Sequence, residues 1–182
     1  SQPQAFGFLG TNPAGKITFD GTRLVTGGQV NIAGGQVLLD KSRLVSEATG
    51  DDHSGGIIVQ ADAVTILDSQ LRSQSVSGNA GKVIVSSKGQ VLIEDPGATP
   101  DTGEGVDRGE FIDNISNRDV AFGDETGLLS LSIGGGATGG IEIGAPSISL
   151  KSSGLYSLSQ RDAEGALGQA CLLYTSDAAD EG

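Results

Sequence analysis

The chain has no Met and no Trp, one Cys, one His, and an aromatic share of only 4%. Each shortage excludes something. A single Cys cannot close an internal disulfide, so the stapled framework of a small secreted domain is excluded. One His and one Cys leave no cluster of the kind that holds structural or catalytic zinc. So few aromatics provide no platform for sugar rings and no Tyr or Trp hot spot for a protein partner. No apolar run approaches the roughly 18 residues of a membrane-spanning helix. Eleven Lys and Arg face 23 Asp and Glu, and the net charge of -12 argues against nucleic acid or an anionic membrane as partner. The chain opens Ser1-Gln2-Pro3 and is expected to be an internal piece of a larger protein, so the lack of a leader says nothing about destination.

Glycine is plentiful, at 30 of 182 residues, more than twice the usual share. It does not recur at every third position, which excludes collagen. Val, Ile and Leu are too abundant for simple disorder. They also repeat. Val37 to Leu44, Val64 to Leu71 and Val91 to Ala98 align at one constant step, and Ile148 to Leu155 follows the third at slightly more than twice that step. Ile17 to Leu24 matches Val37 to Leu44 at a shorter step. Each later segment has an apolar partner a little upstream, at Val30 to Ile32, Ile57 to Val59, Val83 to Val85 and Ile141 to Ile143. Alternation at period two, as in Ile141-Glu142-Ile143, predicts strands with one apolar face. The unit reads as short strand, turn, short strand, turn, a single apolar residue, and a loop.

A repeat of this length built from two or three short strands predicts an all-β fold, a right-handed parallel β-helix (solenoid) of about five to six coils of roughly 20–27 residues. The expected core is Ile17, Phe19, Leu24, Val30, Ile32, Val37, Leu39, Leu44, Ile57, Val59, Val64, Ile66, Leu71, Val83, Val85, Val91, Ile93, Ile141, Ile143, Ile148, Leu150 and Leu155. Ser69 is expected at a corner where Asp is tolerated. Residues 99–138 interrupt the pattern. They read either as a long acidic surface excursion or, preferably, as a degenerate coil with Val120, Phe122, Leu129, Leu131 and Ile133 pointing inward.

The opening Pro3-Gln4-Ala5-Phe6-Gly7-Phe8-Leu9-Gly10, followed by Asn12-Pro13-Ala14-Gly15-Lys16-Ile17, resembles the filamentous-haemagglutinin-like surface proteins of cyanobacteria. The step Gly78-Asn79-Ala80-Gly81-Lys82-Val83 resembles that family's coil boundary. The resemblance covers about residues 1–170. It implies export by two-partner secretion through an outer-membrane transporter, and a structural or adhesive shaft on the cell surface. It also implies that an amino-terminal secretion domain belongs upstream. Residues 171–182, Cys171-Leu172-Leu173-Tyr174-Thr175-Ser176 and onward, resemble a translated sequencing adapter and are expected to be a non-native tail.

Candidate chemistry is sparse. His53 lies between Asp51-Asp52 and Ser54-Gly55-Gly56, a loop composition, and no spacing supports a Ser-His-Asp constellation. Asp101, Glu104, Asp107 and Glu110 form a spaced acidic run that matches neither the EF-hand nor the calcium β-roll repeat. A solvated loop is the expectation there, with weak calcium binding the alternative. Gly134 to Gly140 lacks the Gly-Lys-Ser/Thr ending of a phosphate loop. Asp20, Asp40, Asp68 and Asp95 are the outward acids available to a β-helical polysaccharide lyase or glycoside hydrolase, whose chemistry needs two carboxyls at a set distance. The expectation is a shaft with no catalytic, cofactor or metal residue. The alternatives are such an enzyme fragment, or a glycan- or protein-binding module using 99–138.

Overall fold

The computed structural model describes residues 6–9, 15–49, 51–97, 126–134, 136–159 and 172–176. All of the described regular structure is strand, and every strand pairing is parallel. The strands are β1 (Phe6–Leu9), β2 (Lys16–Asp20), β3 (Arg23–Thr26), β4 (Val30–Asp40), β5 (Arg43–Ala48), β6 (Ile57–Leu67), β7 (Gln70–Ser75), β8 (Val83–Ser87), β9 (Gln90–Glu94), β10 (Gly127–Ser132), β11 (Ile141–Ala145), β12 (Ser147–Lys151), β13 (Gly154–Ser159) and β14 (Leu172–Ser176). They form two sheets. The nine-stranded sheet takes the first two strand segments of each repeat, and the five-stranded sheet β3-β5-β7-β10-β13 takes the last.

The aligned sequence segments are the pairing register. Val37 pairs with Val64, and Val64 with Val91. Ile17 pairs with Val37, so the shorter first step keeps the same stack. The result is a repetitive parallel β-structure in which like residues sit over like. Inward columns such as Val30-Ile57-Val83-Ile141 and Leu39-Ile66-Ile93 are almost wholly buried between the sheets. Each such side chain contributes about 1.5–3 kcal/mol through burial.

The long step from Val91 to Ile148 is not two repeats. Val91 pairs directly with Ile148, and Val83 directly with Ile141. Strand β10 lies directly beside β7, with Leu128 over Leu71, and supplies the last strand of the repeat begun by β8 and β9. The preferred reading of 99–138 as a degenerate coil is therefore corrected for its described part. Leu129 and Leu131 do not join the main core; Leu128 does, and the other two form a separate cluster with Ile133, Tyr156 and Leu158. Alternation along β10 is the reason, because stacking Leu128 on Leu71 turns its neighbours to the opposite face. Val120 and Phe122 lie outside the described residues.

Two other expectations need revision. Leu150 is 39% exposed, because among the described residues β12 has a pairing partner on one side only. Ile17, Leu24, Ile148 and Leu155 are partly buried for the same reason. The single apolar residue closing each unit is in fact the start of a third strand, β5, β7, β10 or β13. Its inward positions after the leucine are small: Ser46 and Ala48, Ser73 and Ser75, Ser130 and Ser132, Ser157 and Ser159. Residues 172–176 pair in parallel with β11, as an unpaired strand edge invites.

Ile66 is fully buried at the centre of the stack. Ile66→Asp is expected to lose more than about 4 kcal/mol and abolish folding. Retention of a native far-ultraviolet circular dichroism spectrum would count against this register. Among the described residues strands β3 and β13 are each paired on one side only, so the purified chain is expected to associate with rising concentration in sedimentation velocity, against the opposition of its net charge.

Candidate functional site

The corner between the two sheets carries the most developed polar arrangement. Its first position is held in the left-handed region, with φ of 55° at Gly21, 48° at Lys41, 43° at Asp68 and 45° at Ser152. A non-glycine residue there costs roughly 1–2 kcal/mol, so something must hold it. The next residue does. Ser69 Oγ accepts the Ser42 amide at 2.9 Å and donates to its own Leu67 carbonyl at 2.6 Å. Ser42 Oγ repeats the pattern with the Thr22 amide and the Asp40 carbonyl. Each hydroxyl closes its own turn and ties it to the preceding repeat. Ser69 stands at a corner as expected, but it and Ser42 are buried, which revises the expectation that Asp is tolerated there. A carboxylate there accepts from the Ser42 amide but confronts the Leu67 carbonyl with a second acceptor.

A second hydroxyl ladder lies inside. Ser46 Oγ donates to the Gly28 carbonyl and accepts from the Gly56 amide. Ser54 and Ser73 share a 2.7 Å hydrogen bond, and Ser54 Oγ accepts from the Gly81 amide. Ser130 and Ser132 donate to the Gly81 and Gly78 carbonyls, and Ser159 to that of Gly136. These serines satisfy the backbone of the loops that close each repeat, which would otherwise be buried with unmet donors and acceptors. The sequence carries a signal for them, Leu-x-Ser-x-Ser/Ala at strand period, which a search for apolar alternation passes over.

The candidate residues fall around these ladders. His53 is exposed, and its Nδ1 accepts the Asn79 amide at 2.8 Å. Asn79 in turn accepts the Ser54 amide on its carbonyl and the Ala137 amide on Oδ1. His53 thus links successive loops, and the adjacent Ser54 points its hydroxyl elsewhere. In the glycine run, Gly134, Gly136 and Gly139 meet close backbone. A Cβ on Gly139 would stand 2.4 Å from the Gly81 carbonyl carbon, and one on Gly81 2.4 Å from the Gly56 amide nitrogen. These glycines let loops stack in contact, which is a different use from cradling an anion.

The outward acids divide between two rows. Asp20 stacks on Asp40, and the row continues through Leu67 and Glu94 to Lys151. Asp68 and Asp95 belong to the next row, whose amides bond to the Glu94 and Lys151 carbonyls. Asp95 Oδ1 accepts the Gly97 amide. The four Asp residues therefore do not converge as one group. Ion pairs join neighbouring repeats on the outside, Lys151 to Glu94 at 3.5 Å, Lys88 to Asp62 at 2.9 Å and Lys82 to Glu142 at 3.7 Å. The hydrogen bond to Asp62, with its charge, raises the Lys88 ammonium above its usual value. Among the described residues no group of three or more His, Cys, Asp or Glu side chains is placed to hold a metal. Asp101, Glu104, Asp107 and Glu110 lie outside the described residues.

Ser69→Asp is expected to destabilise the fold by about 2 kcal/mol or more, from a lost donor and a buried charge. Gly81→Ala is expected to cost about 1–3 kcal/mol from forced backbone displacement, and His53→Ala much less than either. Urea unfolding of the three variants measures the order. Comparison of the chain with protein-family models, with curated proteins and with solved structures finds no match.

Proposed function

We propose that this chain is a stretch of a right-handed parallel β-helix that serves as the shaft of a large secreted surface protein of the filamentous-haemagglutinin-like, two-partner type. The observation that carries the reading is the stack itself. Parallel strands at one-repeat steps, with unbroken inward columns and hydroxyl ladders, extend in one direction and need no further layer. Parallel crossovers are right-handed in nearly all proteins, which supplies the hand. The family rests on the opening segment and the Gly-Asn-Ala-Gly step. The role of this stretch is that of a structural spacer within an adhesive surface protein, without catalysis. The partners are an outer-membrane transporter during export and a glycan or cell-surface protein at the target, and the place of action is outside the outer membrane.

A shaft works by length and stiffness, so its surface sequence is replaceable. In the parent protein, residues 15–159 exchanged for an equal number of unrelated β-helical repeats are expected to leave surface display and cell adhesion intact. Display with adhesion lost would assign recognition to this stretch and overturn the shaft reading.

A further inference from the structure

The two ends of the described stack differ. At one end β1 and β2 lie side by side on β4, and β3 lies on β5, so these three strands form one layer. At the other end β12 and β13 are the last described strands of their columns, while β11 carries β14 one layer further. The inward columns come to the surface at both ends. Ile17, Leu24, Ile148 and Leu155 are only partly buried and Leu150 is 39% exposed. The residues between them in the same columns are at most 2% exposed. Each end therefore presents apolar side chains to water beside strands that are paired on one side only among the described residues.

These ends fit one another. A second copy set with β2 on β12 and β3 on β13 continues the register of the stack, so that Ile17 meets Ile148, Leu24 meets Leu155 and Phe19 covers Leu150. The outward row Asp20–Asp40–Leu67–Glu94–Lys151 has an acid at one end and a base at the other, so Asp20 of the second copy comes over Lys151. Thr18 falls on Ser149 and Arg23 on Gly154, so these rows bring no like charges together. The corners match as well, with φ of 55° at Gly21 and 45° at Ser152. Thr22 Oγ1 donates to its own Asp20 carbonyl at 3.2 Å, as Ser42 and Ser69 do to the carbonyls of Asp40 and Leu67. Those two serines also accept an amide from the preceding corner. For Thr22 of the second copy, that amide is Ser153 of the first.

We propose that the two ends of the stack form a head-to-tail docking surface for a second copy of this chain, and that strand β14 competes for it. Leu172 pairs with Ile141 at one end as Phe6 pairs with Val30 at the other, and Ile141 and Val30 belong to one column. Strand β14 therefore takes the edge of β11 that β1 of the second copy needs, and one edge pairs with one strand. Because the two docking surfaces are unlike, each added copy leaves the same pair of ends, and the assembly grows as an open filament. The proposal rests on the stacked register and is independent of the shaft reading.

Sedimentation velocity of the full chain, at roughly 0.15 M ionic strength to screen its net charge, tests both parts. Leu173→Pro together with Tyr174→Pro removes a ladder amide from β14 whichever parity faces β11. This uncapped chain is expected to associate at a concentration at least about tenfold lower than the unsubstituted chain, from the loss of one or two hydrogen bonds in the competing strand. In the uncapped chain, Asp20→Lys alone and Lys151→Asp alone are each expected to weaken association at least about threefold, because each sets like charges across the junction. An equimolar mixture of those two variants is expected to recover the association of the uncapped chain, since each end then meets its complement. No effect of uncapping, growth that stops at a dimer, or a mixture that associates no better than either variant alone would overturn the proposal. If the proline pair unfolds the chain, seen as a lost far-ultraviolet circular dichroism spectrum, the two charge variants and their mixture in the otherwise unsubstituted chain decide at higher concentration by the same criterion.

Discussion

Backbone hydrogen bonding between parallel strands in register is the constraint on which everything else depends. It sets a separation of about 4.8 Å between successive repeats and places each residue over its counterpart. A side chain in this arrangement packs chiefly against copies of its own position. Columns of Val, Ile and Leu satisfy that demand inside, since β-branched chains pack well on a pleated surface. The same spacing rejects a Cβ where loops approach closest, which explains the stacked glycines at 55–56, 81 and 139.

Polar groups obey the same rule. A buried hydroxyl in a stack has a carbonyl and an amide of adjacent turns within reach, and serine is small enough to fit. The corner serines and the inner serines therefore perform one task at two places, converting loop backbone into part of the ladder. The corner series breaks at Pro96, which brings neither an N–H nor a hydroxyl to the position held by Ser42 and Ser69. The described residues end at Gly97, just beyond it. The repeat can accept a long insertion there because β10 resumes the register opposite β7 as though nothing had intervened.

The inner columns were legible because apolar alternation and a constant repeat step are both one-dimensional signals. Nearly all of the expected core residues pack in or against one cluster. Leu150 departs because exposure at the end of a stack depends on what lies beyond it, and a periodicity contains no such information. Leu129 and Leu131 departed because an insertion resets the phase, and period two cannot tell which parity faces in. The third strand was hidden by its serines, which look polar in a hydropathy pattern and are buried in space. The burial of Ser69 at its corner was hidden for the same cause. The candidate residues were legible as types but not as neighbours: His53 meets Asn79 one loop further along the stack, and Asp20 meets Asp40 while Asp68 joins another row.

From the sequence alone came the repeat, its register and the identity of the inward columns, because stacking maps sequence period directly onto spatial neighbours. Only the tertiary structure decided which repeat takes the insertion, which face each leucine of β10 turns to, and which hydroxyls are buried. Those outcomes depend on pairings between residues far apart in the chain, such as Leu71 with Leu128 and Val91 with Ile148. A local pattern cannot see across that gap, and the hydrogen-bonded ladder closes it.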